Sequence, residues 1–343
     1  MIPADLIEAA RQRRWLVTGA AGFIGSHLVE SLLNAGCTVT GFDNLSTGHQ
    51  HNLDVVSQRC GSEAWSRFSW MQGDVRDMAA CREACRSADV VLHQAALGSV
   101  PRSIEHPEAT NEVNVGGFVN MLTAAREAGI KRVVYASSSS VYGDSPVLPK
   151  KEEHTGRPLS PYALSKWVNE EYASIFARCY GMELVGLRYF NVFGPRQDPH
   201  GAYAAVIPLW FAALLRGEAL QVNGDGETSR DFCFVANVVQ ANIRAALVEN
   251  TEALNRAYNV ACGERTTLKE LAGGIAKALH ELRPDLSEEA TLHHRDFRAG
   301  DIAHSLADIS AAKNLLGYRP THQIVDGLRI AAEYYLERSD LSK

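Results

Sequence analysis

No apolar run in the 343 residues approaches the roughly 20 residues needed to cross a bilayer. The segment before Arg14 carries acids and lacks the apolar core of a cleavable leader. Basic charge is also short: 34 Lys and Arg against 40 Asp and Glu leave a formal net charge of -6, and the cations are scattered. This argues against a membrane span and against a nucleic-acid partner, which needs a concentrated basic field. A soluble, cytoplasmic protein is expected. Cysteine is sparse as well. Cys37, Cys60, Cys81, Cys85, Cys179, Cys233 and Cys262 are odd in number and widely spread, which speaks against a disulfide framework. Cys81 and Cys85 would share a helical face, but no His or second Cys pair completes a zinc set. No metal site is expected, and the cysteines read as small buried hydrophobes. Repeats, low-complexity tracts and Pro-rich linkers are absent too.

What is present is enough apolar content, 46%, for one large domain or for two domains sharing a cleft. The first half alternates strand-like and helical segments: a strand at 15–18, a helix at 23–34 and a strand at 37–42. Further buried strands are predicted at 68–71, 90–93, 132–136 and 184–187, with helices near 111–127 and 161–180. Such alternation implies an α/β fold built on a doubly wound parallel sheet. Beyond about residue 188 the pattern loosens into an apolar helix at 202–216, a short strand ending at Gly224 and mixed segments, read as a smaller α/β lobe capping the sheet. An extra helix at 3–13 is expected on the outside.

Between the first strand and helix lies Gly19-Ala20-Ala21-Gly22-Phe23-Ile24-Gly25, a loop that lets backbone approach a pyrophosphate at a helix N-terminus. A glycine triplet alone is weak evidence. Here it follows a strand, opens a helix with Ile24, Leu28 and Leu32 on one face, and precedes Asp43 at the end of the next strand, eighteen residues beyond Gly25. Asp43 is placed to accept from the adenosine ribose hydroxyls. Asn44-Leu45-Ser46-Thr47-Gly48 follows without a base to hold a 2′-phosphate, so NAD is favoured over NADP, with Asn44, Ser46 and Gly48 beside it. Asp74 and Val75 after the third strand, and Ala95 and Ala96 after the fourth, are expected to border the same ligand. Residues 1–188 are therefore read as a Rossmann-type NAD-binding domain and 189–343 as the substrate lobe, with chain crossings between them.

Tyr162-Ala163-Leu164-Ser165-Lys166 places a phenol and an ammonium four residues apart on one helical face. A tyrosine with a pKa of about 10 is a poor base at neutral pH, but a nearby cation and the nicotinamide charge favour its phenolate. Lys166 supplies such a cation. Upstream, Ala136-Ser137-Ser138-Ser139-Ser140-Val141-Tyr142-Gly143 presents hydroxyls at the carboxyl edge of the sheet, where open α/β folds bind ligands.

Glycine loop, Asp43, Ser138, Tyr162 and Lys166 together resemble the extended short-chain dehydrogenase/reductase family, and more narrowly the bacterial UDP-N-acetylglucosamine 4-epimerases, from about Arg14 to Tyr335. The resemblance implies that Tyr162 takes the proton of the sugar 4-hydroxyl while C4 gives hydride to NAD, with Ser138 as hydrogen-bond partner. It also brings Tyr189 to the cofactor. On the nucleotide sugar it places Gly98, Ser99, Arg102, Ser138, Ser139, Asn191, Gln197, Val206, Asn223, Arg230, Arg298, Asp301 and Ser305. Arg230 and Arg298 would fork onto the diphosphate, Asn191 would donate to a phosphate oxygen and Asp301 would accept from a ribose hydroxyl. The related dehydratases carry an acid pair where this chain has Ser139 and Ser140, and the related decarboxylases carry a Glu where it has Ser140. Simple epimerisation is favoured.

For the sugar, Ser305 stands where the resemblance aligns a bulky tyrosine in epimerases restricted to unacetylated sugars, so interconversion of UDP-GlcNAc and UDP-GalNAc is expected. Pocket volume discriminates only about 10- to 200-fold. A 4-epimerase of UDP-glucuronate or UDP-N-acetylglucosaminuronate remains the alternative, with Arg102 or His200 meeting a C6 carboxylate, as does a non-epimerising dehydrogenase or reductase. The same family implies a homodimer through the helices near 111–127 and 161–180, with Val119, Leu122, Ile175 and Phe176 as apolar positions.

Overall fold

The computed structural model describes residues 2–200, 204–296 and 304–339. After a 3-10 turn at Ala4–Leu6, the chain forms α1 (Ile7–Arg11), β1 (Arg14–Thr18), α2 (Phe23–Asn34), β2 (Thr38–Asp43), α3 (Gln50–Trp65), β3 (Phe68–Gln72) and α4 (Met78–Cys85). There follow β4 (Val90–His93), α5 (Val100–Glu105), α6 (Pro107–Asn111), α7 (Gly117–Glu127), β5 (Arg132–Ser138), α8 (Pro161–Tyr180) and β6 (Glu183–Tyr189). Beyond them lie β7 (Val192–Phe193), α9 (Val206–Leu215), β8 (Leu220–Asn223), β9 (Ser229–Arg230), β10 (Cys233–Phe234) and α10 (Val235–Leu247). The last elements are β11 (Arg256–Val260), β12 (Thr266–Thr267), α11 (Leu268–Leu282), β13 (Leu292–Arg295) and α12 (Ile324–Ser339).

Seven parallel strands form the central sheet in the order β11-β6-β5-β4-β1-β2-β3. Successive residues of a strand serve opposite faces, so Trp15 and Val17 join Leu28 and Leu32 of α2 in one core layer, while Leu16 joins Cys81, Phe118 and Leu122 under α4 and α7. Strand order reverses between β1 and β4, and the crevice outside their carboxyl ends is where such sheets bind ligands.

After β6 the chain leaves the sheet and then returns. β11 pairs with β6, and α10 covers the sheet beside it, so residues 235–260 complete the central sheet and its cover from beyond position 188. The smaller lobe has a core of its own, in which Trp210 and Phe211 of α9, Val222 of β8, Ile275 of α11 and Tyr335 of α12 meet.

Three segments depart from the sequence expectation. The helix expected at 111–127 is broken: α6 passes into one wide π turn at Glu112–Gly116 before α7 begins. Gly117 follows because a Cβ there would lie 2.5 Å from Val75. The helix expected on the outside at 3–13 is shorter, and Ile2 and Ala10 are built into the core, the latter receiving a hydrogen bond from the Trp15 indole at 2.9 Å. The helix expected at 202–216 spans 206–215.

Candidate active site

The crevice at the strand reversal is a cleft of about 460 Å³. Gly19, Gly22, Phe23, Ile24, Gly25, Asp43, Asn44, Ser46, Gly48, Val75, Ala95, Ala96, Tyr162, Lys166 and Tyr189, all expected on the cofactor, line it together. Two glycines are required there. Gly19 sits at φ +68°, and a Cβ on Gly25 would lie 2.0 Å from the Gly19 carbonyl oxygen. No side chain larger than hydrogen lets the loop close onto α2, whose N-terminal amides face the cleft.

Asp43 is buried at the end of β2. Its Oδ2 accepts from the Ala21 amide (3.0 Å) and its Oδ1 from the Leu45 amide (2.8 Å), so the carboxylate braces the glycine loop. Asp74 departs from expectation, since it does not line the cleft. Its carboxylate is forked by Arg76 (3.1 and 2.8 Å) and accepts from the Asn44 amide (2.8 Å), and Arg76 holds it down at about 2. Asp74 thus supports Asn44 from between Gly73 and Val75, which line the cleft. Arg102 and Lys166 are the cations lining the cleft among the described residues, and neither follows Asp43 in sequence.

Pro161 at the first helical position, with Ser160 capping the Ala163 amide at 3.1 Å, starts α8 so that Tyr162 lies in its first turn. The Ser138 hydroxyl neighbours the phenol and favours its ionised form. Ser138 in turn caps the 3-10 turn Ser139–Tyr142, its Oγ accepting from the Ser140 amide at 3.1 Å. One turn along α8, the buried Lys166 Nζ donates to the Ala136 carbonyl (2.9 Å) and lies 6.0 Å from the Tyr162 ring centroid.

Burial raises the Tyr162 pKa and the neighbouring Ser138 hydroxyl pulls it only partly back. Burial also lowers Lys166 to about 8. His93, beside Lys166, is driven down to about 3 by burial and then by the Lys166 charge; it stays neutral, holding the Thr18 hydroxyl at 2.9 Å.

Several residues missed by sequence reasoning shape this cleft. Tyr189 donates to Gln94 Oε1 (2.9 Å), Gln94 donates to Asn242 Oδ1 (3.0 Å), and Asn242 donates back to the Tyr189 oxygen (2.9 Å), a closed ring of neutral groups. Asn114, in the wide turn, clamps both the amide and the carbonyl of Leu97 (2.7 and 3.1 Å) and reaches Ser165 on α8 (3.1 Å). The loop carrying Gln197 is pinned from both lobes: His27 meets the Pro195 carbonyl (2.8 Å), Glu30 meets the buried Arg196 (2.6 Å), and the Tyr335 hydroxyl donates to the Gln197 carbonyl (2.7 Å). The only signal for most of these was a polar residue within an apolar stretch, as with Asn242 in α10.

Of the substrate-side residues, Gly98, Ser99, Arg102 and Gln197 line the same cleft. Ser138 and Ser139 lie at its catalytic edge through the capped turn. Val206 opens α9 directly after Ala204 and Ala205, which line the cleft. Asn191, Arg230 and Ser305 lie off the cleft wall but gather around one knot. Asn191 donates to the Asp231 carbonyl (3.4 Å), while the Arg230 guanidinium (3.0 Å) and the Ser305 amide (3.0 Å) both donate to the Ser229 carbonyl. Asn223 stands apart on β8, paired with Arg295 of β13. Arg298 and Asp301 lie outside the described residues. No cluster of metal-binding side chains occurs among the described residues, and Cys81 and Cys85 are buried on α4.

Residues 15–261 match the NAD dependent epimerase/dehydratase family. The UDP-glucose 4-epimerase of Mycolicibacterium smegmatis is 37% identical over 328 residues, covering 95% of this chain and 99% of that protein. Among solved structures, the UDP-N-acetylglucosamine 4-epimerase of Methanobrevibacter ruminantium M1, in complex with UDP-N-acetylmuramic acid, superposes with a TM-score of 0.86 at 37% identity, covering 95% of this chain and 99% of that one. The UDP-glucuronic acid 4-epimerase of Bacillus cereus, in complex with UDP-glucuronic acid and NAD, superposes with a TM-score of 0.82 at 27% identity, covering 94% and 99%.

Proposed function

Because the chain belongs to the NAD dependent epimerase/dehydratase family and is an NAD-dependent nucleotide-sugar 4-epimerase, we propose that it interconverts UDP-GlcNAc and UDP-GalNAc through a 4-keto sugar. The observation that carries the chemistry is Tyr162 beside Ser138 with Lys166 one helical turn away, all at the sheet edge that holds the glycine loop. The cleft fits NAD: a Cβ-free approach at Gly19 and Gly25, helix amides at the pyrophosphate position, and the Asp43 carboxylate on the cleft wall where a ribose would meet it. Bound NAD supplies the acceptor, and then the donor, of the C4 hydride. Tyr162 takes the proton from the sugar O4 and returns it, Ser138 orients both oxygens, and Lys166 holds positive charge and a ribose hydroxyl beside them. With serines at 139 and 140, no carboxyl group stands beside Ser138 to expel a second substituent.

N-acetylation is supported by the short Ser305 side chain beside the Arg230 strand and by the likeness to an enzyme named for UDP-N-acetylglucosamine. A second reading, a UDP-uronate 4-epimerase, is favoured by one observation: Arg102 lines the cleft, where a C6 carboxylate would meet it. The test is direct. Purified protein with no added NAD is mixed in parallel with UDP-GlcNAc, UDP-glucose, UDP-glucuronate and UDP-N-acetylglucosaminuronate, and products are followed by NMR. UDP-GalNAc is expected as the fastest product. Faster turnover of a uronate moves the assignment to the second reading, and NADH accumulating in solution replaces epimerisation by net oxidation.

The same reading includes a homodimer, with a revised face. Leu122 and Phe176 are consumed by the chain's own core, whereas Leu164, Trp167, Tyr172 and Ile175 remain exposed along α8. A UDP-sugar substrate and seven free cysteines are consistent with a cytoplasmic setting.

A further inference from the structure

Tyr162, Lys166 and Glu170 recur every four residues and share one face of α8. Chemistry accounts for the first two. Glu170 does not line the cleft, yet it is the most tightly held of the three. Its Oε1 accepts from the Ser137 hydroxyl (2.5 Å) and from Arg188 Nε (2.9 Å), and its Oε2 accepts from Arg188 Nη2 (2.7 Å). Ser137 and Arg188 are cross-strand partners on β5 and β6. One carboxylate therefore ties the helix to two adjacent strands at three points. The side chains of Arg188 and Glu170 are only 6% and 12% exposed.

Arg188 carries the brace further. Its Nη1 donates to the Tyr142 oxygen (3.1 Å) and to the Glu152 carbonyl (2.9 Å), and Tyr142 donates to Asn259 on β11 (2.6 Å). Tyr142 closes the 3-10 turn that Ser138 caps. The pair thus touches the helix bearing Tyr162, the strand ending in Ser138 and the turn that orients the Ser138 oxygen. Burying two charges costs desolvation that an apolar pair of similar size avoids. Apolar contact is non-directional and tolerates sliding, whereas a forked guanidinium–carboxylate pair has one geometry.

We propose that Glu170 and Arg188 are positioning residues that set the height and rotation of α8 on the sheet, and thereby the meeting of the Tyr162 and Ser138 hydroxyls. The proposal rests on Tyr162 being the base. The experiment compares the NAD-loaded wild type with the double variant Glu170→Met/Arg188→Met, since a single substitution strands the partner's charge. With misplacement of an ångström costing on the order of 100-fold, kcat is expected to fall about 10- to 100-fold while KM stays within about 3-fold. NAD content should be retained, and a crystal structure of the variant should show the two hydroxyls farther apart than in the wild type crystallised alike. A kcat within about twofold of wild type, or an unchanged hydroxyl separation, overturns the proposal. If the double variant does not fold, Ser137→Ala removes one anchor without stranding a charge; it should lower kcat about 3- to 10-fold at unchanged KM, and an unchanged kcat overturns the proposal equally. Should the wild type turn over no UDP-sugar, the functional reading fails, while the hydroxyl separation in the variant still decides the brace.

Discussion

Asp231 offers a stability test whose sign the structure determines. The residue is fully buried between β9 and β10. Its Oδ1 accepts from the Cys262 amide (2.9 Å), and its Oδ2 from the Gly263 and Ala307 amides (3.0 and 3.2 Å), so one carboxylate joins three distant segments beside Arg230. Burial pushes its pKa up, the three amides pull it part of the way back, and Glu264 adds a smaller push, leaving it at about 6 against an ordinary 3.8. Between those values the native state holds more protons than the unfolded one, so stability falls as pH rises through that window, by about 3 kcal/mol in total. Asp231→Asn abolishes this titration. Its amide nitrogen also faces at least one of the three N–H donors, costing about 1–3 kcal/mol at every pH. The variant should therefore be less stable than wild type near pH 4, and the gap should close or reverse by about pH 7. With an unfolding entropy of about 0.7 kcal/mol/K for a chain of this length, the wild-type advantage in Tm should shrink by about 4 °C across that range. Thermal melts of both proteins at matched ionic strength measure it. A Tm difference that stays constant from pH 4 to pH 7 would refute the titration of a buried carboxylate at this position.

Tyr162→Phe should lose about 10²- to 10⁴-fold in turnover while keeping its NAD and its Tm; product NMR and NAD assay check this, and a near-normal rate removes Tyr162 as the base. Gly25→Ala drives a Cβ to 2.0 Å from the Gly19 oxygen, so the purified variant should emerge without NAD, read by absorbance of the supernatant after denaturation. Asn242→Asp deprives both the Tyr189 oxygen and the Val238 carbonyl of their donor. It should lower Tm by about 4 °C through about 3 kcal/mol and reduce NAD retention; unchanged retention would separate the Gln94–Tyr189–Asn242 ring from the cofactor wall.

What was legible in the sequence was local. The glycine loop between β1 and α2, Asp43 at the end of the next strand and the Tyr162–Lys166 spacing each lie within one short stretch of chain, and the structure brings them into one cleft. What was not legible depends on distant partners. The wide turn at Glu112–Gly116 places Asn114 against Leu97 and Ser165, contacts that lie across the fold and leave no periodicity behind. The five residues of β11 alternate no more clearly than a loop would, and they become a strand by pairing with β6. Asp74 follows a strand as a ligand-facing acid would, but Arg76 two residues later claims it. The stripe on α8 was read two residues deep, to Lys166, because Glu170 has meaning only once Ser137 and Arg188 are known to be neighbours.

Burial moves the two central side chains in opposite directions, and this bears on when the site becomes reactive. The phenol of Tyr162 is raised, and the amine of Lys166 falls to about 8. At neutral pH the pair therefore rests as neutral phenol and ammonium. Ser138 lowers the phenol only in part, and Lys166 is engaged with the Ala136 carbonyl. In the loaded protein the oxidised nicotinamide would add positive charge to that of the Lys166 ammonium and favour the phenolate further. With Tyr162 as the base, proton removal would be coupled to cofactor occupancy, and a protein without NAD would be inert towards sugar hydroxyls. The tyrosinate absorbance of wild type minus Tyr162→Phe, titrated with and without NAD, reports this coupling. A tyrosine titrating below the ordinary value of about 10 is expected only in the loaded protein. Its appearance in the stripped protein, or its absence from both, would show that the charge acting on Tyr162 is not the cofactor's.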